Sequence, residues 1–226
     1  MFKLSISGTW SGLLTSELFA SARSYRLKAG DTLFHKGDTG DGCYRLDKGL
    51  LKVCLTSPKG EERIIAFLHS GAIVGDLAVI DGLPRSASIV AVTDSELHFV
   101  SQVAFQHFAR KHPEIYHDVA KMLAARLRDA DNIIESFAFL PMKARVARAL
   151  LDLAEDFGEE TNSGGILVPR MINQRDLAAM AGVARENTNR ILGEWKRSNL
   201  VTRSSDSYWI ADKARLEGDP AGRCLS

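Results

Sequence analysis

The sequence predicts an α+β chain, with a β-barrel or jelly roll first, a long helix next, and a small helical domain closing on a hairpin. Two observations carry this. Between Tyr25 and Phe99 short apolar runs alternate with glycine-marked turns, the pattern of a closed or double-sheet β architecture. From Val103 onward apolar residues recur at spacings of three and four, the period of helices with one packed face. The 226 residues fit one large domain or two small ones. A hydrophobic content of 45% and a charged content of 25% are ordinary for a soluble globular chain.

Taken in order, residues 1–22 read as short helices, with helical apolar spacing from Leu13 to Phe19. Strands follow, among them Lys52–Leu55, Ile64–Phe67 and Ser88–Val92, punctuated by Gly30-Asp31, Gly37-Asp38, Lys48-Gly49, Pro58-Lys-Gly60 and Asp81-Gly82. Pro113 is expected in the first turn of a helix running to about Phe137. On that helix Ala120, Leu123, Leu127, Ala130, Ile134 and Phe137 alternate spacings of three and four, a coiled-coil seam of nearly three heptads. A second apolar face, Ile115, Val119, Met122 and Ile133, is expected to pack on the barrel. Two apolar faces are too many for one contact, so the seam points to a homodimer. Pro141 breaks the helix and opens the next, Met142–Phe157, followed by a Gly/Ser-rich loop from Gly158 to Gly165. The expected division is 1–112 sensor barrel, 113–140 dimerisation helix and hinge, and 141–226 second domain.

One stretch carries chemistry, Gly75-Asp76-Leu77 through Arg85-Ser86-Ala87. Glycines let the backbone approach a ligand, N–H groups face an anion, and arginine adds a fork of donors. This is a site for one phosphate, with Asp76 placed to accept from a sugar hydroxyl. The alternative for Arg85 is a barrel-turn arginine satisfying backbone carbonyls.

A second signal lies at 173–210. Asn173 reads as a helix cap with Asp176 in the first turn, and Gly182 sits where a tight inter-helix turn needs it. A second helix, Arg185 to Ser198, turns Ile191, Leu192 and Trp195 inward and presents Arg185, Glu186, Asn189 and Arg190. These are side chains that read guanine, cytosine and adenine edges. Leu200–Arg203 and Ser207–Ile210 read as a hairpin, the wing of a winged helix-turn-helix. Net charge is only +1, but residues 169–203 carry seven Arg and Lys against three acids.

Together these motifs resemble the cyclic-AMP receptor protein/fumarate–nitrate regulator (CRP/FNR) family over residues 13–212. The resemblance implies a cyclic-nucleotide-binding-type jelly roll, a dimerisation helix and a winged helix-turn-helix. Gly75, Asp76 and Leu77 match the family's Gly-Glu-Leu, with Asp for Glu, and Arg85 and Ser86 match its phosphate-binding Arg-Ser. The shorter Asp76 retreats by one C–C bond, roughly 1.5 Å, so its ribose contact is either lost or bridged by water. Members that respond to cyclic AMP place Thr and Ser against the purine; Ala130 and Asp131 stand there. Ala130 cannot hydrogen-bond a base, and Asp131 either accepts from an exocyclic amine or serves as a salt-bridge residue. Arg185, Glu186 and Arg190 fall on the base-contacting positions, Asn173 and Gln174 on phosphate-contacting ones, and Ala184 replaces a common capping Ser. The implied target is a palindromic TGTGA-like operator.

The resemblance therefore implies a homodimeric, sequence-specific DNA-binding transcription regulator gated by cyclic AMP or cyclic GMP, with RNA polymerase a further partner through the 158–165 loop. Two alternatives stand beside it: a ligand-independent regulator with a vestigial pocket, and a nucleotide-sensing module acting through protein partners. Cys43, Cys54 and Cys224 are too few and scattered for an iron–sulfur cluster or disulfide framework. No metal, required cofactor, enzymatic activity or membrane contact is expected, and the expected location is the cytoplasm.

Overall fold

The computed structural model describes residues 12–161, 164–169, 172–204 and 207–218; expectations for residues 1–11, Arg170 and Cys224 lie outside them. The chain divides into two compact units, one ending at Asp131 and the other beginning at Asn132. That division falls inside the long helix, within the 113–140 segment expected to hold the dimerisation helix and hinge.

The first unit opens with α1 (Gly12–Leu18). Eight strands follow: β1 (Arg23–Leu27), β2 (Thr32–Phe34), β3 (Gly42–Lys48), β4 (Leu51–Thr56), β5 (Glu62–Leu68), β6 (Ile73–Val74), β7 (Ser88–Ala91) and β8 (Ser95–Ser101). They form two four-stranded antiparallel sheets, ordered β1-β8-β3-β6 and β2-β7-β4-β5, which is a jelly roll. Alternation along β3 sorts its side chains. Tyr44 and Leu46 join Leu51, Val53, Leu68, Val74, Ile89 and Leu97 in one core. Cys43 faces the other way, into a second core with Ile73, Val100, Phe105, Ile115, Val119 and Met122.

That second core is where the helices dock. The short α2 (Asp76–Asp81) connects β6 to β7, and α3 (Gln102–Lys111) and α4 (Ile115–Phe139) follow β8. Helix α4 begins two residues after Pro113. Tyr116 N donates to Pro113 O at 3.1 Å and His117 N to Glu114 O at 3.0 Å, so the proline sits in a tight lead-in turn rather than in the first α turn. On α4 Ile115, Val119 and Met122 are buried, as their spacing requires, and Ile133 is half-buried.

The second unit holds α5 (Met142–Phe157), β9 (Glu159–Glu160), β10 (Ile166–Pro169), α6 (Gln174–Ala181), α7 (Arg185–Arg197), β11 (Val201–Arg203), β12 (Ser207–Ile210) and α8 (Lys213–Gly218). The expected hairpin is the outer half of a four-stranded sheet, β11-β12-β10-β9. Two strands alone are marginal, and β10 supplies the next partner, Ile166 against Ile210 and Val168 against Tyr208. The 158–165 segment is therefore not loop throughout, because β9 lies within it. Trp195 of α7, 1% exposed, and Leu177 of α6, fully buried, anchor the helical side of this core.

Candidate ligand cassette and DNA-binding interface

Gly75 takes a left-handed φ of 76° and opens α2. A Cβ there would strike Nη1 of Arg85, with Gly42 O at 3.2 Å, so both its backbone and its emptiness require glycine. The Arg85 guanidinium fills that space. Its Nη1 donates to the carbonyls of Gly42 and Gly75, both at 2.8 Å. Its Nη2 donates to Asp41 Oδ1 at 2.8 Å. The Phe34 ring lies beneath, 4.3 Å from ring centroid to Cζ, a cation–π distance. Nε is buried without a hydrogen-bond partner among the described residues. Arg85 thus satisfies backbone carbonyls, the alternative role for it.

Asp76 has a partner that the sequence reading missed. Its carboxylate, 3% exposed, accepts twice from Nη1 of Arg126 on α4, at 3.0 and 2.9 Å, while Nη2 of Arg126 donates to Ile73 O at 3.0 Å. Where a sugar hydroxyl is expected, an arginine sits. Leu77 is half-buried, Ala87 buried and Ser86 exposed. Cys43 packs beside these charges, and burial pushes its thiol up to about 12, which leaves it an inert thiol at neutral pH.

Further along α4, Ala130 and Asp131 are exposed and Leu123 is half-buried. Leu127 and Ile134 are 64% and 65% exposed. Phe137, 42% exposed, also has contacts within its own unit: its ring lies beside Gly182 and under the Arg145 guanidinium at 5.3 Å.

In the second unit Asn173 caps α6, its Oδ1 accepting from Arg175 N and Asp176 N at 2.8 and 3.0 Å, and Asp176 closes a capping box. Gly182 ends α6 at φ 61°. Helix α7 starts at Ala184 with no side-chain cap. It turns Thr188, Ile191, Leu192 and Trp195 inward, leaving Arg185, Glu186, Asn189 and Arg190 exposed on one face of its first turns. Gln174 is half-buried. Arg190 is held by Glu194, Nη1 to Oε1 at 2.9 Å, at 60% and 33% exposure. A surface pair of this kind is worth little.

Residues 25–112 match the family model of the cyclic nucleotide-binding domain, and residues 144–218 that of the Crp-like helix-turn-helix domain. A cyclic AMP receptor protein of Thermus thermophilus is 32% identical over 188 residues, 83% of each chain. The chain belongs to the CRP/FNR family. A CRP-like cAMP-activated global transcriptional regulator of Mycobacterium tuberculosis is 28% identical over 94% of this chain and 96% of its own. Among solved structures, a CRP/FNR-family regulator of Thermus thermophilus superposes with a TM-score of 0.72 at 26% identity, covering 89% and 100% of the two chains. The c-di-GMP responsive global regulator CLP of Xanthomonas campestris shares the fold, with a TM-score of 0.78 at 20% identity over 88% and 98%.

This CRP/FNR chain is accordingly a DNA-binding transcription regulator, and the family's members are regulators rather than enzymes. Among the described residues no helix is long and apolar enough to cross a membrane, and no cluster of His, Cys, Asp and Glu is arranged to hold a metal. Two residues that sequence reasoning passed over shape the cassette, Arg126 and Asp41. Arg126 carried a faint signal, since it stands four residues before Ala130 and so on the same helix face. Asp41 carried none, because only folding brings it to Arg85.

Proposed function

We propose that this regulator works as a homodimer whose affinity for a palindromic TGTGA-like operator is set by a cyclic nucleotide, cyclic AMP or cyclic GMP, held in the jelly roll. The observation that supports gating is the buried Arg85, fixed beside Gly75 with its Nε unpartnered. An unused donor on a buried guanidinium carries a desolvation cost that an incoming phosphate oxygen relieves. Arg85 would bind the cyclic phosphate with Ser86, Asp76 would face the sugar once Arg126 moves, and Ala130 and Asp131 would border the base. Support for DNA reading comes from the exposed Arg185, Glu186, Asn189 and Arg190 on α7, with Asn173 and Gln174 near the phosphates. The dimer reading rests on the exposed Leu127 and Ile134, joined by Leu123 and Ala130. The segment around β9 is the expected contact for RNA polymerase.

A second reading draws on the same cassette. Asp76 is neutralised by Arg126, and both Nη atoms of Arg85 have protein acceptors, as a ligand-independent regulator would need.

Fluorescence anisotropy of a TGTGA-N6-TCACA duplex at fixed salt separates the two. The gating reading expects tighter binding with cyclic AMP or cyclic GMP. Equal, tight binding with cyclic AMP, cyclic GMP, cyclic di-GMP or no nucleotide would establish the second reading. In either case Arg185→Ala with Arg190→Ala should remove sequence preference and reduce the salt dependence of binding.

A further inference from the structure

The Arg85 guanidinium has an edge that is only half used. Nη1 is committed to two carbonyls, those of Gly42 and Gly75. On the opposite edge, Nη2 meets Asp41 Oδ1 at 2.8 Å while the adjacent Nε is buried with no partner. Nε and Nη2 form the side-on fork that takes an oxyanion with two parallel bonds. Asp41 therefore engages one tooth of a two-toothed donor.

The two partners differ sharply in environment. The Arg85 side chain is 2% exposed and that of Asp41 is 66% exposed. The Asp41 backbone is pinned, its carbonyl accepting from Gln102 N at 2.9 Å, but its exposed carboxylate can turn into water; the cost of that move falls on the buried guanidinium left behind, and an incoming oxyanion offsets it. Arg85 cannot follow, because its carbonyl clamp and the Phe34 ring hold it. Asp76, the other carboxylate of the cassette, is engaged by Arg126.

We infer that Asp41 is a built-in competitor for the anion site, a carboxylate that occupies Arg85 until an oxyanion presenting two oxygens displaces it, and that it thereby sets how tightly an effector phosphate binds. This rests on the cassette being an anion site, and its failure can be told apart from failure of nucleotide gating. The observed affinity is the intrinsic one reduced by the fraction of molecules in which Arg85 is uncapped. Removing the cap raises that fraction to one.

The full chain and its Asp41→Asn, Asp41→Ala and Glu61→Gln variants should be titrated calorimetrically with cyclic AMP and cyclic GMP. Their melting temperatures should also be measured in inorganic phosphate against chloride at matched ionic strength. Asn keeps the shape of Asp41, and Glu61 is an exposed acid in the β4–β5 turn that controls for charge alone. Asp41→Ala is expected to bind nucleotide about fivefold or more tightly than the parent, and Asp41→Asn, whose neutral amide oxygen accepts more weakly from Nη2, to gain less. They should also gain a larger phosphate-dependent rise in melting temperature, while Glu61→Gln matches the parent. The gain should vanish when Arg85→Lys, which lacks the fork, is added to Asp41→Asn. If no chain binds either nucleotide yet the Asp41 variants alone gain from phosphate, gating by those nucleotides fails and the competitor role stands. Asp41 variants that respond to phosphate and nucleotide no better than the parent, or a gain that survives Arg85→Lys, would overturn it.

Discussion

The Asp76–Arg126 pair shows how a single contact can tie a ligand cassette to the helix beside it. Asp76 is 3% and Arg126 19% exposed at the side chain, so removing either leaves the other charged and poorly hydrated. Such a loss costs about 3 kcal/mol or more, whereas replacing both with apolar groups costs much less. Urea denaturation should show Arg126→Met strongly destabilising and Asp76→Leu/Arg126→Met largely restoring stability; equal costs for the single and double variants would deny the coupling. Asp152 gives a second prediction at this scale. Burial lifts its carboxyl to about 7 despite Arg148. The unfolded chain ionises near 4, so the folded state holds a proton that the unfolded state loses between about pH 4 and 7. Stability contributed by this residue therefore falls as pH rises through that window and stays lost above it. Asp152→Asn should raise the melting temperature at pH 8 by a few degrees and make no difference at pH 3.5. Arg148 loses a partner in the exchange, but at 29% exposure it reaches water. Neither effect was legible beforehand: Asp152 is one of several acids on an amphipathic helix, and nothing local marks it as the buried one.

At the level of elements, the helices of the second unit and its terminal hairpin were legible, and the strand pairing of the jelly roll was not. Periodicity and Pro141 placed α5 at its observed bounds, and Asn173, Gly182 and the inward Ile191, Leu192 and Trp195 placed α6 and α7. These signals are local. A jelly roll pairs β1 with β8 and β2 with β7, and no spacing along the chain encodes partners so far apart. Arg126 and Asp41 eluded sequence reading for the same reason, since each finds its charge partner across more than forty positions. The helix ends make a test. Helix α7 lacks a side-chain cap, and Ala184 has the extended ψ of 144° that a capping residue uses. Ala184→Ser should stabilise the second unit by about 1 kcal/mol. Gly182→Ala should do the opposite, because the left-handed backbone disfavours a Cβ by about 1–2 kcal/mol and the Phe137 ring occupies its space. Thermal melts followed by tryptophan fluorescence, with Trp195 and Trp209 both in the second unit, would read both.

At the scale of the whole molecule the proposed reading turns on how one short α7 face could become specific. Four exposed side chains would give modest discrimination, each good bidentate contact being worth roughly 1–3 kcal/mol. Two such faces on one duplex multiply their affinities, which requires that two chains be joined. The surface offered for joining is on α4, where Leu127 and Ile134 stand 64% and 65% exposed, one heptad apart. Isolated apolar side chains at a surface are ordinary, but two of them one heptad apart are what the proposed coiled-coil seam requires. Leu127→Glu with Ile134→Glu places like charges opposite each other across that seam. In sedimentation equilibrium the parent should be a dimer and this variant a monomer, with circular dichroism unchanged because neither side chain belongs to a core. Operator affinity should then fall roughly 100-fold or more, while weak, salt-dependent binding to unrelated DNA persists through the intact α7. If the variant remains dimeric, the seam lies elsewhere; if it is monomeric yet binds the operator undiminished, reading of DNA does not depend on two joined chains.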